Sequence, residues 1–222
     1  SGTIHADGGQ VILQASAAGD IFSSVVNQSG VIRARSLTHE DGIVRLDGGD
    51  SGQVTLAGTI DASGPASGQT GGRVSLLGES VTLTPTARID VSGAGGGGTA
   101  LIGGQFQGRG TEPTATTTLV ADRASISADA LTQGTGGTVI VWADGHTQYA
   151  GTISAQGGAS GGHGGFVEVS GKQALDFTGR VDTTAPAGHT GTLLLDPSNI
   201  TISSAANANI SAAPTFTGTT AT

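Results

Sequence analysis

Acidic and histidine side chains are the first places to look for chemistry in this chain. Asp61 and Asp90 hold the same place in two copies of a short recurring word. If those copies stack, two carboxylates face outward one above the other, a spacing that could share a proton or hold Ca²⁺. Arg33 and Arg88 lie near enough to neutralise them, and a solvated polar face is the simpler reading. The run Leu46-Asp47-Gly48-Gly49-Asp50-Ser51-Gly52 has the composition of a calcium turn. Calcium β-rolls need tandem nonapeptides, so one copy reads as a plain turn. His163 and His189 fall in corresponding Gly-rich turns of neighbouring repeats, with no third ligand to complete a metal site. No nucleophile elbow, Walker loop or dinucleotide fingerprint occurs, and the glycines from Gly93 to Gly98 lack the Lys-Ser/Thr and helix that a phosphate needs. These patterns point away from an enzyme and toward a chain without cofactor or metal.

Binding chemistry has one better candidate. Trp142, the sole tryptophan, follows Val139-Ile140-Val141. If Val139 and Val141 point inward, Trp142 points outward. It is then either an exposed platform for a sugar or a protein, or it is covered by the irregular stretch at 103–118. Gln107 and Arg109 lie in that stretch and join Trp142 as the expected ligand contacts.

The elements that must position these residues come from an internal repeat. The word G-x-I-x-A recurs around Ile4, Ile32, Ile60, Ile89, Ile126, Ile153 and Val181, at separations of 28, 28, 29, 37, 27 and 28. The residue after each is polar (His5, Arg33, Asp61, Asp90, Ser127, Ser154, Asp182), and the next is small (Ala6, Ala34, Ala62, Val91, Ala128, Ala155, Thr183). Such alternation is a half-buried strand. A second word, usually after a Gly pair, reads Gln10-Val11-Ile12-Leu13, Ile43-Val44-Arg45-Leu46, Arg73-Val74-Ser75-Leu76, Thr138-Val139-Ile140-Val141, Phe166-Val167-Glu168-Val169 and Thr192-Leu193-Leu194-Leu195. A third includes Val54-Thr55-Leu56-Ala57, Val81-Thr82-Leu83-Thr84, Thr147-Gln148-Tyr149-Ala150 and Leu175-Asp176-Phe177-Thr178. Leu56, Tyr149 and Phe177 share one column and read as core.

Three short strands per period predict an all-β, right-handed parallel β-helix of about seven coils, each of roughly 28 residues. No window carries a helical pattern. The long step of 37 places an inserted loop or hairpin at 103–118, in a single shaft over 1–202. Asn199-Ile200-Thr201-Ile202 can add one more strand, and 203–222 reads as an irregular coil or linker.

Composition supports a thin solenoid. The chain of 222 residues holds 40 glycines but only 3% aromatic residues, so Val, Ile, Leu and Ala must build the core. Collagen is excluded because no glycine recurs at every third position, and disorder because apolar residues reach 36% at regular places. Net charge is −8 with a single lysine, Lys172, which excludes a nucleic-acid binder and a polybasic membrane anchor. There is no cysteine, hence no disulfide scaffold and no thiolate metal site. Nothing approaches 18 consecutive apolar residues. The opening Ser1-Gly2-Thr3 has neither a basic start nor an apolar run, so an internal segment of a longer protein is expected.

Two further stretches, Gly165-Phe166-Val167-Glu168-Val169-Ser170-Gly171 and Gly191-Thr192-Leu193-Leu194-Leu195-Asp196-Pro197-Ser198-Asn199-Ile200-Thr201-Ile202, carry a resemblance. Together with the G-T-I-S-A word at Gly151 and the Gly-Gly-x-Val-x-Val pattern, they resemble the β-helical shaft of filamentous-haemagglutinin-like exoproteins of two-partner secretion systems. The resemblance covers most of 1–202. It implies a large secreted or surface-attached adhesin of a Gram-negative bacterium, moved unfolded through an outer-membrane transporter. It further implies contact with host or matrix glycans or proteins through exposed loops. The Asn-Pro-Asn-type motifs of the amino-terminal secretion domain are not seen, so no residue can be assigned to transporter recognition. A polysaccharide-active β-helix enzyme or glycan-binding module is the alternative. It would need acidic side chains and an arginine converging on one groove, and the columns show none. An ice-binding face is excluded because the column Thr3, Val31, Thr59, Arg88, Ser125, Thr152, Arg180 is irregular.

A coil segment of a rod leaves unpaired backbone groups at both ends, which invites end-to-end association. Sedimentation over a concentration series should therefore register an apparent mass that rises with concentration. A constant monomer mass would require capped ends.

Overall fold

Alternating residues on short strands can bury one face only if equivalent strands stack, and that stacking organises the chain. The computed structural model describes residues 2–15, 25–37 and 41–196. Three parallel sheets run along the solenoid. The first holds β1 (Thr3–His5), β4 (Val31–Arg33), β7 (Thr59–Asp61), β10 (Arg88–Asp90), β13 (Ser125–Ser127), β16 (Thr152–Ser154) and β19 (Arg180–Asp182). The second holds β2 (Gln10–Gln14), β5 (Ile43–Asp47), β8 (Arg73–Leu77), β11 (Thr99–Ile102), β14 (Thr138–Ala143), β17 (Phe166–Gly171) and β20 (Thr192–Leu194). The third holds β3 (Val25–Gln28), β6 (Gln53–Leu56), β9 (Ser80–Leu83), β12 (Thr117–Val120), β15 (His146–Tyr149) and β18 (Ala174–Phe177).

The expected three strands per coil and period of about 28 hold. The described residues make six complete coils and two strands of a seventh. The strand expected at Asn199-Ile200-Thr201-Ile202 and the segment 203–222 lie outside the described residues. Register follows the word: Ile4 pairs with Ile32, Ile60 with Ile89, Ile126 with Ile153, and Ile153 with Val181. Three strands not foreseen in the sequence, β3, β11 and β12, take their places in the ladders. The irregular stretch therefore ends earlier than expected, because Thr117 and Thr118 belong to β12. Among the described residues the one helical element is a single 3-10 turn at Phe106–Gly108.

Inside, the stacked columns are aliphatic. Ile32, Ile60, Ile89, Ile126 and Ile153 are buried, as are Val44, Leu46, Val74, Leu76, Val139, Val141, Val167 and Val169. Leu56, Leu83, Val120, Tyr149 and Phe177 form one column, as read, with the rings of Tyr149 and Phe177 stacked at 5.1 Å. The Tyr149 hydroxyl donates to the Arg180 carbonyl (2.7 Å), and burial pushes its pKa up.

Where each Ile strand ends, a glycine corner closes the coil. The N–H groups of Gly72, Gly98, Gly137, Gly165 and Gly191 donate to the carbonyls of Ala62, Val91, Ala128, Ala155 and Thr183 in their own coils at 2.6–2.7 Å. Their Cα atoms rest on the coil before. A Cβ at Gly98 would fall on the Gly72 carbonyl oxygen, one at Gly137 on that of Gly98, and one at Gly165 on that of Gly137. The column admits no side chain.

Beside that corner runs a ladder of polar side chains on the outer face. Arg33 pairs with Asp7 (2.7 Å) and Arg35 with Asp61 (2.7 Å). Asp61 also accepts from Ser63, Asp90 from the Ser92 N–H, Asp129 from Ser154 and the Gln156 N–H, and Asp182 from Gln156 and Thr184. The neutralising partners differ from those expected. Arg33 serves Asp7, Arg35 takes Asp61, and Arg88 donates to the carbonyls of Pro85, Ala87 and Arg123. Asp61 and Asp90 do sit one above the other; Asp61 accepts from Ser63 in its own turn and from Arg35 in the coil before, and Asp90 from the Ser92 N–H.

Gly137→Ala should cost about 3 kcal/mol or more, since both the new Cβ and a backbone carbonyl would have to move. Gly2→Ala is the control, because nothing lies within 4 Å of its added Cβ, and a change of no more than about 0.5 kcal/mol is expected. Urea denaturation of both variants decides it, and equal midpoints would overturn the corner as the determinant.

Candidate functional site

The outward residues of the second sheet begin as ordinary strand positions and become buried where something covers them. Leu101, Ile140, Trp142, Glu168 and Ser170 all point away from the coil interior and are buried. Leu101, Ile140 and Trp142 form a small second core, with Phe166 packed against it. The cover is the segment between β11 and β12, a loop whose neck closes with the Ala115 N–H on the Gly103 carbonyl (2.7 Å). A compact loop with joined ends is an Ω-loop.

Trp142 is 4% exposed, so of its two readings the covered one holds and the exposed platform does not. Glycines let the loop backbone lie on the indole. A Cβ at Gly108 would be 2.6 Å from Trp142 Cε2, and one at Gly104 would be 2.9 Å from Cδ1. The indole N–H donates to Asp144 (3.2 Å), whose other oxygen accepts from the Thr114 hydroxyl (2.5 Å).

The loop is tied along the rod, not to one coil. Glu112 pairs with Arg45 on β5, two coils back, at 2.7 Å. Burial opposes the charge of Arg45, but its bonds to Glu112 and Asp47 outweigh this and hold its pKa up. In the other direction the Gln107 N–H donates to Glu168 on β17 (3.0 Å), and the Gln107 side chain reaches Asp196 (3.4 Å). Gln107 adopts φ 54°, which turns its N–H toward Glu168. The loop therefore straps coils two to seven.

Glu168 is the residue that sequence reasoning missed. Its side chain is fully buried, and Oε1 has no hydrogen-bond partner among the described residues. Burial pushes its pKa up against the opposing bonds from Gln107 and Ser170, and Asp196 adds to the rise. The sequence offered little signal, since its outward column reads Ile12, Arg45, Ser75, Leu101, Ile140, Glu168 and Leu194, in which a charged residue is not out of place.

Gln107, Arg109 and Trp142 do come together, lining a depression of about 410 Å³ with Gly108, Asp144, Lys172 and Asp196. Arg109 also borders a second, shallower depression of about 370 Å³. His163 and His189 stack at 5.1 Å, the His189 N–H donating to His163 Nδ1 (3.0 Å). Asp47, in the turn with calcium-like composition, is held by Arg45 and accepts from the Gly49 N–H. Among the described residues no three His, Asp or Glu side chains assemble as a metal site. No helix there is long and apolar enough to cross a membrane.

No family model matches the chain, and no curated protein matches it. Among solved structures it is similar to the crystal structure of the HMW1 secretion domain from Haemophilus influenzae. The TM-score is 0.69 and the identity 28%, over 87% of this chain and 48% of that one. The chain thus spans about half the length of the domain it matches. The likeness falls on a domain named for secretion, although the Asn-Pro-Asn-type motifs are absent from this sequence.

Glu168→Gln keeps an acceptor for the Gln107 N–H and removes the charge. Because the folded-state pKa of Glu168 is raised, its contribution is largest below the unfolded value near 4.3 and is lost as pH rises through the folded value. The Arg33 bond holds Asp7 below the usual range. At Asp182, burial raises the pKa, but bonds to Thr184 and Gln156 outweigh it and lower the value. Stability from these two aspartates is present above about pH 4 and is lost as pH falls through their folded values. The variant should melt a few degrees above the parent protein at pH 7, for roughly 1–2 kcal/mol. That gap should close toward about pH 4, where both proteins begin to lose the aspartate contribution. Circular-dichroism melts across this range test it. A variant less stable at pH 7 would mean that the carboxylate is paired.

Proposed function

We propose that the chain is a structural shaft segment of a large secreted or surface-attached adhesin of the two-partner type. On this reading it is exported through an outer-membrane transporter and acts without catalysis. The observation that carries the reading is the structural likeness to the HMW1 secretion domain at 28% identity over most of this chain. The filamentous-haemagglutinin-like words around Gly165 and Gly191 support it from the sequence side. The core needs only small aliphatic residues and glycine corners. Such a chain can cross a membrane unfolded and then fold coil by coil on an existing edge.

On this reading adhesion falls to the strap, since the bare coils present flat polar rows. Gln107 and Arg109 stand at its surface, while Trp142 supports it from beneath and lends no exposed face. Partners are then surface or matrix glycans or proteins reached through that loop. A glycan-binding module is the second reading, favoured by the mixed polar lining around Gln107, Arg109, Asp144 and Lys172.

The test uses the parent protein in a Gram-negative host. Secretion into the medium should require the outer-membrane barrel encoded with it and stop when that barrel is deleted. Replacing 104–114 by a short Gly-Ser link should leave export intact and lower cell attachment by about tenfold, the loss of one good contact cluster. Export without the barrel would refute the secretion reading. Undiminished attachment would move adhesion away from the strap.

A further inference from the structure

The second depression combines features that the export reading does not use. Its floor is apolar, with Leu101, Ile140 and the rings of Phe106 and Phe166, and Arg73 and Arg109 stand at its rim. Phe106 is 47% exposed on the strap. The two rings meet edge to face at 66° with centroids 5.7 Å apart, forming a notch rather than a flat platform.

Neither arginine is paired with a carboxylate among the described residues. Arg33, Arg35 and Arg45 all are. In a chain of net charge −8, two unmatched guanidinium groups converging on one groove are an acceptor for anions. Arg73 and Phe166 occupy one column, separated by Thr99 and Thr138, hence three coil spacings or about 14 Å. An extended peptide covers that distance in about four residues.

We infer that this groove docks an extended acidic segment of a partner protein. An apolar side chain sits in the Phe106–Phe166 notch, and carboxylates lie on Arg73 and Arg109. The notch favours a side chain over a sugar ring, since the one flat indole is buried under Gly104 and Gly108. Aromatic and arginine side chains around an apolar floor are the composition of interface hot spots. The proposal rests on the export reading only for where the partner is met.

The probe is a random octapeptide library displayed on phage, selected against the purified chain. Selected peptides should carry Asp or Glu three to five positions from a large apolar residue, enriched about tenfold over selection on an Arg73→Gln/Arg109→Gln double variant. Phe106→Ala should lose the apolar preference, and Arg180→Gln, far from the groove, should select as the parent does. Circular dichroism checks that each variant is folded. Absence of an acidic consensus, the same consensus on the double variant, or a double variant that does not fold would each overturn the proposal. Binding is read on purified protein and export in cells, so a groove without a peptide leaves the export reading standing, and the reverse.

Discussion

Everything in this rod depends on backbone lying directly on backbone at the glycine corner. Gly72, Gly98, Gly137, Gly165 and Gly191 each sit where a Cβ would occupy the carbonyl oxygen of the coil before. Their N–H groups return to the small residue that ends the Ile strand of the same coil. The carbonyls of Gly72, Gly98, Gly137 and Gly165 accept from the N–H groups of Thr99, Thr138, Phe166 and Thr192, each the first residue of the next strand in the second sheet. One residue without a side chain thus closes the coil and sets its height above the last. That contact fixes register for all three sheets, because a slip of one residue would put a side chain into it and reverse every inward position.

With the height fixed, the interior needs only layers of similar volume, and polar groups can enter where they find a partner. Thr118 and Thr147 occupy inward slots of the third sheet, where earlier coils have Val54 and Val81. Their hydroxyls donate to the carbonyls of Trp142 and Ser170, both at 2.7 Å, in the second sheet. A buried hydroxyl with a bond is tolerated where one without would cost a few kcal/mol. These two bonds also join the sheets at the level of the strap, where β14 and β17 are longest.

The same substitutions decide what could be read from sequence. The Ile word was legible because every copy keeps a β-branched residue between a turn and a polar position. β11 was hidden because Ala100 stands where other coils have Val74 or Val139, and β12 because Thr118 takes an inward place within a threonine run. Gln107, Arg109 and Trp142 were legible as neighbours, since one broken period had to be housed over the adjacent coils. The outward direction of Trp142 and its cover by the irregular stretch were legible too, but the manner of that cover was not. That cover depends on Gly104 and Gly108 lying flat on the ring, a contact that has no periodicity. Arg35 displaced Arg33 as the partner of Asp61 because the ladder pairs the end of one coil's turn with the strand of the next.

The strap changes the mechanics of the rod. In a bare solenoid each coil touches only its neighbours, so local opening costs one interface at a time. Here one loop bonds to Arg45 on β5, Asp144 after β14 and Glu168 on β17, so these coils cannot separate without breaking it. The binding is not free of cost, since it holds a carboxylate out of water with one oxygen unpaired. A leucine at 168, the type found at Leu101 and Leu194 in the same column, would remove that cost and also the acceptor for Gln107. The carboxylate thus trades local stability for the position of Gln107, whose N–H it holds on the strap's left-handed turn.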